Sequence, residues 1–252
     1  MVGLLDRPWW VFLITFLALW LASYAGKWLS HGRGGLMDAD LRDDFNLVQT
    51  ATLTLLGLII GFSFSMAAGR YDSRKKLEEE EANAIGTEYL RVEVLSADVA
   101  AKAKAQLREY TALRIRFYQS QNLDEVNSIR AETEKLEGEM WPVVSRPAAA
   151  QPSPVVALAV SGMNDVLNSE SYTQAAWWYR MPLEAWMLML AIAVFCTVML
   201  GVGAKKGGPR ILMVLPLVVA VAFLLISDID SPRSGLIKVV PQNLIRLQEG
   251  LR

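Results

Sequence analysis

Apolar residues in this chain gather into four runs: Pro8 to Leu29, Leu47 to Ala68, Leu183 to Gly203 and Ile211 to Ser227. At about 1.5 Å of rise per residue the first three can cross a hydrocarbon core of roughly 30 Å, whereas the fourth is short and contains Pro216. We read four membrane helices. Between the second and third runs the pattern changes to single apolar residues at helical spacing. Leu77, Ile85, Tyr89 and Val92 carry the second run onward as one helix from Leu47 to about Leu95. Ser96 is placed to cap a second helix with Leu107, Tyr110, Arg114 and Phe117 on one side. Asn122 and Glu125 form a capping box before Val126, Ile129, Leu136 and Met140. "RPAAAQPSP" at 146–154 reads as a linker or sharp turn, after which Ser153 and Pro154 open a helix with Val156, Val160, Met163 and Leu167 on one stripe. The expected architecture is all-α: two membrane helices in 1–68, a cytoplasmic helical bundle in 69–182, two more membrane helices in 183–227 and a cytoplasmic tail in 228–252.

Composition agrees with this segregation. Hydrophobic residues make up 53% of 252 positions although 20% are charged, and the net charge is -1. The first run is too long, and its flank too weakly basic (Arg7 beside Asp6), for a secretory leader. Trp9, Trp10, Trp28, Trp177, Trp178 and Tyr179 stand where interfacial anchors are expected. Lysines and arginines near the helix ends favour the side of the large insert: Arg7, Arg70, Arg74, Lys75, Lys76, Arg180, Arg233, Lys238 and Arg246 against Lys27, Arg33, Arg42, Lys205, Lys206 and Arg210. Both termini and the insert are therefore expected in the cytoplasm, with Lys205 and Lys206 running against the bias. A lone cysteine, Cys196, and a lone histidine, His31, make no metal-ligand set and no catalytic triad, so neither a cofactor nor enzymatic chemistry is expected. No span carries a charge at mid-depth, which disfavours a proton relay.

Two stretches admit two readings each. Thr50, Thr54, Gly57, Gly61 and Ser65 give the second membrane helix a small or hydroxylated side. That side can serve helix packing, within or between chains, or line a pore in which Ile59, Phe62 and Met66 form an apolar constriction. Glu78, Glu79, Glu80 and Glu81 can be a solvated face paired with Arg74, Lys75 and Lys76 at i, i+4 spacing, or rings of charge in the vestibule of an oligomer.

The passage "GFSFSMAAGRYDSRKKLEEEEANAIGTEYLR" together with "SDIDSPRSGLIKV" after the last run resembles the bacterial bestrophin-like domain family, over essentially the whole chain. Through Arg70, Tyr71, Asp72 and Arg74 at the end of a serine-bearing apolar helix, it is more distantly similar to bestrophins. These are pentameric ion channels whose second membrane helix lines an apolar neck above a cytosolic vestibule. The resemblance implies a neck within residues 55–66. It does not carry over calcium gating or ion selectivity, because the acidic calcium clasp is missing and "KKLEEEE" replaces the Trp-rich continuation.

The expected function is a homo-oligomeric ion channel in a bacterial inner membrane, by resemblance a pentamer, in contact with lipid and small inorganic ions and not with nucleic acid. The alternative is a non-conducting scaffold or sensor whose cytoplasmic bundle binds a protein. Arg70 and Arg74 are expected to pair with Asp228 and Asp230 where the membrane part meets the bundle.

Overall fold

The computed structural model describes residues 7–31, 39–204 and 210–251; Arg33, Lys205 and Lys206, which enter the charge bias, lie outside these. All regular elements among the described residues are helical: α1 (Pro8–His31), α2 (Ala39–Arg91), a 3-10 turn (Val92–Val94), α3 (Ala97–Gln119), α4 (Leu123–Ala150), α5 (Pro154–Trp178), α6 (Leu183–Gly203), α7 (Ile211–Asp230) and α8 (Gln242–Gly250). Four of them, α1, α2, α6 and α7, hold segments long and apolar enough to cross a membrane. α2 runs unbroken for 53 residues because it contains no proline, and its glycines alone do not stop a helix held by neighbours.

The chain divides into two compact units, Met1–Gly69 with Arg180–Ile237, and Arg70–Tyr179 with Lys238–Arg252. In the first, α1 packs along α6 and α7. Close approach rests on two glycines. A methyl on Gly26 would overlap the Val198 carbonyl, and one on Gly201 would overlap the Ser23 carbonyl. Ser23 is fully buried, and its hydroxyl is satisfied by the Trp20 carbonyl at 2.7 Å, its own preceding turn. Trp186 and Phe223 meet edge to face at 5.8 Å between α6 and α7.

The second unit is built on α3, which packs against α4 and α8, while α4 packs against α5. Leu107, Tyr110 and Phe117 of α3 and Val126, Ile129, Leu136 and Met140 of α4 are all buried, so the apolar stripes of these two helices read correctly. Other details differ from expectation. Ser96 makes no side-chain cap, and Glu125 does not complete a capping box: Asn122 Oδ1 accepts from the Asp124 N–H at 2.9 Å, but Glu125 is engaged by the Ser120 hydroxyl at 2.7 Å. The stretch read as a linker is mostly helix, since α4 continues through Pro147 to Ala150. A proline near a helix end gives up one hydrogen bond, and the alanines that follow favour the helix. Ser153 caps α5 as expected, accepting from the Val156 N–H at 3.1 Å with Pro154 in the first turn. The buried stripe of α5 lies further round than read. Ala159, Gly162, Met163 and Val166 are buried and Val156 only partly. Trp177 is not an interfacial anchor but a core residue, meeting Phe117 at 5.3 Å and Tyr118 at 5.5 Å; Trp178 and Tyr179 remain exposed.

Candidate functional site

Helical periodicity gives the membrane part of α2 three sides. Leu56, Ser63 and Ala67 form a buried side. On the opposite side Thr50, Thr54, Gly57, Gly61 and Ser65 are all exposed, and among the described residues no neighbouring group lies within 4 Å of a methyl built on Gly57 or Gly61. The hydroxyls of Thr50 and Thr54 donate to the carbonyls one turn earlier, Asn46 at 2.8 Å and Thr50 at 2.9 Å, so the stripe presents little unmet polarity. Between these two sides lie Ile59, Phe62 and Met66, spaced to share one face; Phe62 is 64% and Met66 43% exposed, and Ile59 is partly buried.

Further along α2 the four glutamates do not act as one run. Successive helix positions are about 100° apart, so Glu78 and Glu81 turn inward while Glu79 and Glu80 stay exposed. Glu80 pairs with Lys76 at 3.5 Å on the surface. Glu78 binds the start of α8 instead. Its Oε1 accepts from the backbone N–H groups of Asn243 and Leu244 at 2.9 and 3.0 Å, and its Oε2 from the Asn243 amide at 2.7 Å. Pro241, at the cap position, supplies no side-chain bond, so Glu78 serves as the cap from another helix and answers the positive end of α8. Glu78→Ala should cost about 1–3 kcal/mol, the usual penalty for leaving buried donors unmatched. Faster hydrogen exchange in peptides covering residues 242–251 would register the loss.

Glu81 is the centre of a buried polar lattice. It forms an ion pair with Arg114 Nε and accepts from Tyr118 Oη at 3.1 Å and Thr173 Oγ1 at 3.2 Å. Arg114 reaches on to Glu170 at 3.3 Å, and its guanidinium lies 4.6 Å from the Phe117 ring centre. Burial works against the Arg114 charge, but the Glu81 carboxylate more than offsets it, so Arg114 holds its proton more tightly than usual. Tyr118 is shifted upward by burial and by Glu81, which keeps it a donor. Burial also raises Glu170. At the rim, Glu137 accepts from Tyr110 Oη at 3.3 Å and is pushed up to about 7 by burial and by Glu170. Helical spacing alone places Arg114 on an apolar stripe and does not say what neutralises it. A buried arginine demands a buried carboxylate, and Glu81 lies in phase with the buried Ala82 and Ile85.

The two aspartates of "SDIDSPRSGLIKV" are turn organisers in the membrane unit. Asp228 accepts from the backbone N–H of Leu236 at 2.7 Å and of Ile237 at 2.9 Å, and Asp230 from that of Met181 at 3.0 Å. Arg180 Nη1 donates to the Asp230 carbonyl at 2.7 Å. The close approach leaves no room for a side chain at Gly235, where a methyl would lie 2.5 Å from the Asp228 carbonyl oxygen. Arg74 is buried and Arg70 partly so. The two arginines belong to the helical unit and the two aspartates to the membrane unit. No group of three or more metal-ligating side chains occurs among the described residues.

Comparison with known proteins bears on the whole of this architecture. The crystal structure of a bacterial bestrophin homolog from Klebsiella pneumoniae with a tryptophan-to-alanine substitution superposes with a TM-score of 0.65 over 94% of this chain and 97% of that one, at 11% identity. A tyrosine-to-alanine variant of a bestrophin homolog from the same organism gives 0.62 over 95% and 98%, at 13% identity. At such identities the likeness establishes a common fold. No curated protein matches the sequence. A family model described as a Bestrophin-like domain matches residues 17–244. With its four candidate membrane helices and its bestrophin fold, the chain belongs to the Bestrophin-like domain family.

Proposed function

We propose that the protein is a homo-oligomeric membrane ion channel whose neck is formed by Ile59, Phe62 and Met66 of α2. One observation carries this reading: at membrane depth α2 has one buried side and two sides that the described residues leave largely exposed, one of small residues and one of larger apolar residues. A pore-lining helix in a ring needs that division, with its own chain, a neighbouring copy and the pore each taking one side. Small residues let a neighbouring helix approach closely, and large apolar ones can close a pore by excluding water. The fold shared with bestrophin homologs and membership of the family add support.

In this reading the subunits form a ring, by family resemblance a pentamer, in a bacterial inner membrane, with both termini and the helical unit in the cytoplasm. Lipid and small inorganic ions are then the contacting partners. Glu79 and Glu80 are the vestibule charges, since Glu78 and Glu81 are committed to internal bonds. The test is salt flux from liposomes loaded with potassium chloride. Phe62→Ala or Met66→Ala is expected to raise flux tenfold or more, which requires only about 1.4 kcal/mol off the barrier. Flux unchanged in both variants would remove the neck from this face. Absence of flux in every variant would favour a scaffold whose helical unit binds a protein.

A further inference from the structure

Glu88 stands apart from the other buried glutamates of α2. It is fully buried, yet neither of its carboxyl oxygens has a hydrogen-bond partner among the described residues, whereas Glu78 and Glu81 each accept three hydrogen bonds or more. The carboxyl group lies against α5, where a methyl on Gly162 would overlap Glu88 Oε2. Arg91 Nη1 borders the same spot, 2.9 Å from that methyl position, and faces Asp165 of α5 at 3.8 Å. The charged groups acting on Glu88 are Arg91 on its own helix and Asp165 on α5, and they oppose each other. The adjoining 3-10 turn contributes Glu93, which is paired with Lys104 of α3.

Burying an ionised carboxylate without donors costs far more than burying the neutral acid, so such a group holds its proton. We propose that Glu88 is a proton-operated lock: as a neutral acid it holds α2 against the Gly162 face of α5, and on losing its proton it draws Arg91 away from Asp165 and loosens that contact. Burial, partly opposed by Arg91 and reinforced by Asp165, pushes Glu88 up to about 8 from its ordinary 4.5. The folded chain therefore binds a proton that the unfolded chain releases between those values. The stabilisation is complete below pH 4.5 and is lost as pH rises through about 8.

The test is hydrogen exchange, followed by mass spectrometry, on the full chain in lipid nanodiscs from about pH 5 to 9, corrected for intrinsic rates. In the wild type, protection of peptides covering residues 84–94 and 156–168 should fall by up to about tenfold per pH unit toward pH 8, the limit for one linked proton. Glu88→Gln, which mimics the neutral acid, should lose that slope and keep at high pH the protection the wild type shows at low pH. Glu137 and Glu170 are present in both chains, so the difference isolates Glu88. An unchanged slope in Glu88→Gln would overturn the lock, as would a variant already unprotected at the acid end, since the charged form would then be the structural one. A measurement without a variant decides the same point: the Glu88 carboxyl carbon resonance should titrate near 8, and titration near the ordinary 4.5 would contradict the proposal.

Discussion

Replacing Arg114 with methionine is expected to destabilise the helical unit by about 3–5 kcal/mol, enough to exhaust much of the stability of an ordinary domain. The cause is not the loss of one attraction. Glu81 and Arg114 are both fully buried, so removing the cation strands a carboxylate in the core, with Tyr118 and Thr173 as its remaining donors. Glu81 must then take up a proton or bring in water, and Glu170 loses its partner at 3.3 Å as well. The same reasoning predicts partial rescue. In Arg114→Met with Glu81→Gln no charge is left at the centre, and glutamine still offers an oxygen to Tyr118 and Thr173. The double variant should recover at least about 1 kcal/mol over Arg114→Met alone, since replacing a whole buried pair costs less than breaking it. Thermal unfolding of the full chain, with hydrogen exchange localising the loss to α3 and α5, measures both. An Arg114→Met chain within about 0.5 kcal/mol of wild type would mean that this lattice does not hold the unit together.

The second large effect is expected at Gly26 and Gly201. Each admits the backbone of the other helix where a methyl would stand: Val198 carbonyl and Cα at Gly26, Ser23 carbonyl and the Lys27 amide at Gly201. Backbone cannot rotate away as a side-chain end can, so α1 and α6 must part. Gly26→Ala or Gly201→Ala should each cost about 1–3 kcal/mol, the range for overpacking a close-packed site. Because they belong to one contact, the pair should cost less than the sum. Gly57→Ala and Gly61→Ala are the controls, since no neighbouring group among the described residues lies within 4 Å of the added methyl. They should cost nothing and can gain up to about 1 kcal/mol, the preference of a helix interior for alanine over glycine. Unfolding of the solubilised chain would separate the two classes.

This contrast also shows what was legible in the sequence. The conspicuous glycine pattern, Gly57 and Gly61 amid threonines and serine, reads as a packing or pore face, but the close approach of α1 and α6 is made by Gly26 and Gly201, which lie in two different apolar runs. Spacing along one helix reveals a stripe of small residues; it cannot say which helix, or which copy of the chain, will meet it. Apolar runs and period gave the helices and their buried sides in α3 and α4, because burial there follows the 3.6-residue repeat. The polar core stayed hidden for a related reason. Glu81 and Arg114 are 33 positions apart, and only the fold puts them together. The block of four glutamates looked uniform because composition ignores rotation around the helix, which assigns two of them to the interior.

If the exposed sides of α2 face other copies of this chain and a shared pore, the native mass of the protein in lipid nanodiscs will show it. A ring predicts a single species at a multiple of the 28.0 kDa chain greater than two, and a pentamer predicts five times that mass. A monomer or dimer as the sole species would contradict the account, because neither encloses a pore between symmetric α2 helices.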